Sequence, residues 1–323
     1  MTTRLTLPAA GPAQAWVPLP SVTTDWTRPL GDTWTTQGET NLHRDPVYGA
    51  GLLHLRWQSG GSERTATVVS IIEVQDRAVA LDRPSEAVAL SEAERRLYTA
   101  PTALIPTDGI VRRTAEQAVA GARSDLDKAR AIYAWVVENT FRKASVRGCG
   151  LGDVASMLAM GDLGGKCADI NALYVGLARA VGLPARDVYG IRVAPSQFGY
   201  RSLGAHSEAI TKAQHCRAEV FLSGYGWVPV DPADVRKVAL EEPPGNLVLA
   251  DAKVKAARDA LFGAWEGNWM AYNTGHDLVL PGAVGPAVGF LMYPEAEVAG
   301  TRLDCLDPER FAYAISVRPL SAA

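Results

Sequence analysis

A cysteine that follows paired glycines and opens an apolar helical run is a candidate nucleophile, and Cys167 stands in that position. In the segment GDLGGKCADINALYVGLARAVGLPAR, Gly164 and Gly165 allow a tight turn. Ile170, Leu173, Tyr174, Leu177 and Val181 then form an apolar stripe that Gly182 and Pro184 bring to an end. Cys167 therefore falls in the first turn of a helix. There, free backbone N–H groups and the positive end of the helix dipole lower a thiol's pKa and raise the fraction of reactive thiolate. The same N–H groups can donate to an oxyanion developing on an attacked acyl carbon. Asp169 suits a helix N-terminus and is expected to stabilise it rather than to react.

A thiol nucleophile also needs a base. Of the five histidines, His43, His54, His206, His215 and His276, only His215 opens an amphipathic strand. That strand, CRAEVFL, leads through the turn SGYG into WVPVD, a hairpin ending at Asp231, which could orient the imidazole and hold its tautomer. Taken alone, these residues favour the blander account of a buried cysteine on an apolar helix and a surface histidine. His206 and His276 lie in loop-like surroundings without a partner at metal-ligand spacing, so no metal site is expected, and no phosphate-binding glycine motif suggests a nucleotide cofactor. Of the remaining cysteines, Cys216 should point into the core beside His215. Cys149, in a glycine-rich loop, is expected to pack there, with lining the pocket or shielding Cys167 through a reversible disulfide as the alternative. Cys305 reads as structural.

The elements that must position these residues change character along the chain. Residues 1–95 read as a β-rich N-terminal module, with runs such as LLHLRW and TATVVSIIEV set off by Gly, Asp and Ser. WVPLP at 16–20 reads there as a proline-bordered edge strand. A helix is predicted over about 125–140 with Ser124 and Asp125 as candidate caps, the second begins near Cys167, and RDVYGIRV at 186–193 and the 216–231 hairpin follow as strands. Residues 251–265 read as helical, and the tail returns to strand-like runs, GFLMY and FAYAISV. The fold class is α+β, helices segregated from an antiparallel sheet, with a catalytic domain over 110–323. Hydrophobic residues at 47% can fill such a core, while a net charge of −3 provides no overall basic field for nucleic acid or anionic lipid. No apolar run is long enough to span a bilayer and no signal segment is evident, so the chain is expected to be soluble, cytoplasmic or, had a signal been removed, periplasmic. The sequence is silent on oligomeric state.

Two blocks together resemble bacterial transglutaminase-like proteins. Gly165-Lys166-Cys167-Ala168-Asp169, the helix, and Gly182-Leu183-Pro184-Ala185-Arg186 are similar to that family's nucleophile segment. His215-Cys216-Arg217-Ala218-Glu219-Val220 with Gly224-Tyr225-Gly226-Trp227 and Asp231-Pro232 is similar to its histidine and aspartate segment, in the same order and at family-like spacing. The resemblance spans roughly 110–235. It implies a papain-like arrangement in which Cys167 is the nucleophile, His215 the general base and acid, and Asp231 its orienter. It also implies acyl transfer from a peptide or other amide, with water the favoured acceptor. An amine acceptor, lyase or cyclase chemistry on a small molecule, and a non-catalytic binding module remain the alternatives. Glu219 and Arg186 sit at recurring family positions and are expected to form a charged pair holding sheet to helix, and Trp227 to wall the cleft or fill the hairpin core. Two departures stand out. Arg217 replaces the family's tryptophan, so an aromatic wall is lost or replaced. If Leu222 pairs with Trp227, an undistorted register sets Asp234 opposite His215, and Asp231 reaches it only through a shear or bulge.

Overall fold

The helix that begins at Cys167 runs to Ala180, and every one of its residues is buried. A helix buried on all sides needs cover on all sides, and the rest of the fold supplies it. The computed structural model describes residues 1–9, 11–58, 64–85 and 89–320. Among them the helices are α1 (Glu92–Thr99), α2 (Gly109–Ala118), α3 (Asp125–Asn139), α4 (Val154–Met160), α5 (Cys167–Ala180), α6 (Pro232–Glu241) and α7 (Ala252–Ala260). Helices α2, α3, α4 and α6 pack around α5, whose remaining face lies on an antiparallel sheet. That sheet has the strand order Gly226–Val230, Gln214–Leu222, Ala185–Arg192, Trp269–Asn273. Ile170, Leu173, Tyr174 and Leu177 of α5 meet Ala218 and Val220 in one core. This is the α+β, papain-like arrangement expected.

Local signals account for most boundaries. Ser124 caps α3 in a capping box with Asp127, and Asp251 caps α7. Helix α7 stops at Ala260, short of the expected 265, and Ala264–Trp265 instead forms a short strand against Arg77–Ala78.

The β-rich part is two further sheets. One has the order Ala312–Ser316, Thr2–Thr6, Thr65–Val74, Thr27–Thr36. The other runs Thr301–Arg302, Glu295–Val298, Ala13–Pro18, Gly51–Trp57, Glu39–Arg44. Leu5, Ala15, Leu53, Leu55, Val68 and Phe311 fill the space between them. The last strands of the chain thus hydrogen-bond to its first. Ala13–Pro18 is consequently an interior strand and not the edge expected from its prolines. Pro18 is tolerated because the Glu295–Val298 strand pairs only as far as Trp16, so the N–H that proline lacks is not called on. GFLMY, read as a strand, is buried but forms no ladder; Phe290 stacks on Tyr189 with ring centroids 4.9 Å apart. The β layers also reach the sheet beneath α5. Trp26 packs edge-on to Trp265 at 5.3 Å and stacks on Trp269 at 6.2 Å.

Candidate active site

Cys167 is the first residue of α5 and is 3% exposed. The approach to it is built by Asp169. Its carboxylate accepts from the amides of Leu151 at 2.9 Å, Gly152 at 3.0 Å and Lys166 at 3.0 Å, tying the Cys149 loop to the helix start. Glycine is required on both sides of that carboxylate. A Cβ on Gly150, where φ is +92°, would lie 1.8 Å from Asp169 Oδ2, and one on Gly165 would lie 2.5 Å from Asp169 Cβ. The amide of Ala168 donates to Cys149 O at 2.9 Å, fixing the loop against the first turn. Asp169 is thus a structural residue, as its place in the first turn suggests.

His215 sits at the start of the Gln214–Leu222 strand, 3% exposed, with two carboxylates against the same ring nitrogen. Nε2 lies 2.7 Å from Asp231 Oδ2 and 3.4 Å from Asp234 Oδ2. This arrangement leaves Nδ1 for the thiol. The hairpin register explains how Asp231 arrives. Leu222 pairs with Gly226, one place earlier than the expected partner Trp227, and Ala218 pairs with Val230. The strand then ends and Asp231 becomes the N-cap of α6, its Oδ1 accepting from the Asp234 amide at 3.0 Å. The turn into α6, with Pro232 at its first position, swings both Asp231 and Asp234 under the imidazole. No bulge in the hairpin is needed. Asn171, one helical turn past Cys167, donates to Cys216 O at 2.9 Å and to Asp231 Oδ1 at 3.2 Å, so α5 itself holds the aspartate.

The two carboxylates differ in their partners. Arg192 Nη2 donates to both oxygens of Asp234, at 2.6 and 2.8 Å. Burial pushes Asp234 up, but Arg192 and then His215 outweigh it and hold the carboxyl well below the usual range. Burial and Arg192 push His215 down; Asp234 and Asp231 overcome them, so its pKa is raised. Arg217, in the place of the family tryptophan, is buried 3.7 Å from Asp231 Oδ2. Its guanidinium lies over Trp269 at 4.8 Å and Trp265 at 5.4 Å, and Nη1 donates to Glu266 O at 3.0 Å. Arg217 thus stacks on indoles from two other strands, inside the protein and outside the lining of the cleft, so no aromatic wall stands at this place in the cleft. Trp269 also donates from Nε1 to His215 O at 2.8 Å, passing over Gly190, where any Cβ would be 2.4 Å from the indole.

Three cysteines converge. The neighbouring Cys149, then Cys216 and His215, hold the Cys167 thiol well below its ordinary value against the opposing effect of burial. Cys149 is raised by its hydrogen bond to Cys167 and by burial, and Cys216 by burial and then by Cys167. The group therefore concentrates thiolate character on Cys167. Cys216 belongs to the core as expected and is near enough to Cys167 to influence its thiol. Cys149 lines the cleft, its Sγ donating to Gln214 O at 3.3 Å. Cys305, read as structural, lines the cleft as well.

The cleft has a volume of about 450 Å³ and holds Cys167 and His215 on one side. Tyr293, Leu306, Phe311 and Tyr313, which also line it, come from the C-terminal segment, which sequence reading did not connect with the site. Gln214 also faces it, its Nε2 buried and without an acceptor. Glu219 bonds Arg186 at 2.6 Å and also pairs with Arg77. Because Arg186 and Glu219 are opposite one another on adjacent strands, the pair joins strand to strand and not sheet to helix as expected. Trp227 lies under Arg186 at 4.0 Å and edge-on to Phe221 at 5.6 Å, away from the cleft. His276 lies 3.4 Å from Asp187 in the core. The ligand atoms of His215, Asp231 and Asp234 lie within 4.8 Å of one another, close enough to hold a cation. Arg192 and Arg217 already supply positive charge to those carboxylates, so the set reads as an ionic network around an imidazole.

The fold and this cluster define a papain-like α+β protein with cysteine, histidine and aspartate gathered at a helix start. The description "Transglutaminase-like superfamily" matches residues 112–232, and the chain belongs to that superfamily. It is similar to an uncharacterized protein of Haemophilus influenzae, 39% identical over 281 residues that cover 82% of this chain and 75% of that one. A crystal structure from Cytophaga hutchinsonii, described as a candidate cysteine protease, superposes with a TM-score of 0.54 at 15% identity. It covers 98% of this chain and 96% of its own. The periplasmic domain of TgpA from Pseudomonas aeruginosa aligns with a TM-score of 0.37 at 15% identity, covering 71% of this chain and 88% of that domain. Among the described residues no helix is long and apolar enough to cross a membrane.

Proposed function

We propose that this protein is a thiol-dependent acyl-transfer enzyme that hydrolyses a peptide or other amide through an acyl-enzyme at Cys167. The observation that carries the reading is His215, bound through Nε2 to Asp231 at 2.7 Å while sharing a cleft with a cysteine at a helix start. The Cys167 thiolate attacks the amide carbon, forming a C–S bond and an oxyanion. The Cys167 amide and the Gln214 side chain are donors available to that oxyanion. Collapse breaks the C–N bond as His215 Nδ1–H protonates the leaving amine. Water, deprotonated by His215, then attacks the thioester and releases the acid and the Cys167 thiolate. Asp231 orients the ring and stabilises its charged form throughout.

Support for a hydrolase comes from the cysteine-protease description of the Cytophaga protein, and nothing about the cleft marks an amine site. The test is a screen of amide and ester libraries with wild type and Cys167→Ala, with and without an added amine. Free acid formed by wild type alone is the expected result. Amine-dependent product would make the protein a transferase, and turnover that survives Cys167→Ala would overturn the reading.

A further inference from the structure

Six cationic side chains line the cleft, Arg142, Arg147, Lys166, Arg192, Lys212 and Lys237, and no aspartate or glutamate does. In a chain of net charge −3 this is a local concentration. Their partners do not balance them. Arg147 lies 2.5 Å from Asp304 and Arg192 2.6 Å from Asp234, while Arg142 and Lys237 share Glu241 at 2.7 and 3.8 Å. Among the described residues Lys166 and Lys212 have no carboxylate within ion-pair distance. These two flank the reacting pair, Lys166 directly before Cys167 and Lys212 three residues before His215.

Positive charge in a cleft whose lining is otherwise largely apolar focuses anions into it, onto the thiol it holds. A volume of about 450 Å³ suits a compact substrate. We infer that the site takes an anionic amide, one carrying a free carboxylate close to the scissile bond, held by Lys166 and Lys212 while its apolar part lies against Tyr293 and Phe311. The inference rests on Cys167 being the acylated nucleophile, and it adds the substrate's charge to that reading. The covalent step is unchanged, since the carboxylate is a handle and not a reactant.

Iodoacetate and iodoacetamide test this directly, being the same electrophile with and without a carboxylate. In both reactions an S–C bond forms and iodide leaves. Alkylation of Cys167 is followed by peptide mass mapping, and the iodoacetate-to-iodoacetamide rate ratio is normalised to that of glutathione. The expected normalised ratio is about ten or more at low ionic strength, falling toward one in about 0.5 M salt. It should fall several-fold in Lys212→Gln and further in the Lys166→Gln, Lys212→Gln double variant. A ratio at or below one with rapid iodoacetamide labelling overturns the anionic substrate and leaves the nucleophile in place. A high ratio indifferent to both lysines overturns their assignment, and a Cys167 inert to both reagents overturns the nucleophile and this inference together. As a second arm, amides of glutaric acid should be cleaved at least about ten-fold more efficiently than their methyl esters; equal cleavage would count against the proposal.

Discussion

Replacing Asp231 by asparagine tests how the two carboxylates under His215 divide their work. Asp231 Oδ1 accepts from the Asp234 amide at 3.0 Å and from Asn171 Nδ2 at 3.2 Å, and Oδ2 receives His215 Nε2 at 2.7 Å. An asparagine must keep its oxygen where those two donors point, which turns its NH2 toward His215. A donor facing Nε2 forces the ring proton onto Nδ1, the nitrogen that must accept from the thiol. Loss of the charge-assisted bond alone removes about 1.5–3 kcal/mol, or about 10- to 150-fold in rate. Inversion of the tautomer extends the loss toward about 10⁴-fold, the size known for the corresponding change in serine proteases. Stability should change little, because asparagine caps a helix about as well as aspartate, and Arg217 retains Glu266 O and the Trp269 face. The assay is the rate of p-nitrophenol release from p-nitrophenyl acetate in a single turnover, with the unfolding midpoint measured in parallel. Wild-type acylation by the variant, or a greater rate loss in a fully folded Asp234→Asn than in Asp231→Asn, would refute the reasoning.

Asp234→Asn should act chiefly on stability, since it strips the buried Arg192 of a partner at 2.6 and 2.8 Å; a loss of about 3–5 kcal/mol is expected in urea unfolding. Glu219→Gln leaves Arg77 and Arg186 without their shared carboxylate and should cost a similar amount, read from the same denaturant midpoint. Cys149→Ala removes the neighbour that does most to lower the Cys167 thiol, so the pH profile of Cys167 alkylation by iodoacetamide should move to higher pH. An unmoved profile would show that His215 alone sets it. Burial, against the pull of Arg179, raises Asp187 to about 7, so the folded state holds a proton there that the unfolded chain has released. Stability should therefore fall as pH rises from about 4 to 7, by up to about 4 kcal/mol from this group, and Asp187→Asn should flatten that part of the profile.

The helix that opens at Cys167 was legible because its signals are local: paired glycines before it, an apolar run through it, glycine and proline after it. The histidine strand and hairpin were legible for the same reason. The register was not. The turn carries glycines at 224 and 226, both at positive φ, and the loop closes one residue earlier than the spacing suggested. That single place, with the turn into α6, brings Asp231 and Asp234 together under one imidazole where the sequence posed them as alternatives. Arg217 showed the loss of a tryptophan but not the indoles it packs on, because Trp265 and Trp269 lie far along the chain. The cleft's charge was the least visible feature. Its six cations come from scattered segments, and its apolar wall from a tail whose strands pair with the N-terminus. No periodicity or spacing records such long-range convergence.

The central claim is that Cys167 carries the acyl group. Peptide mass mapping after brief exposure to p-nitrophenyl acetate tests it most directly. The account predicts an acetyl group on the Cys167 peptide of wild type that disappears in water at neutral pH, absent in Cys167→Ala and slow to form in His215→Ala. Acetylation confined to Cys149 or Cys305, or no adduct on any cysteine, would contradict it.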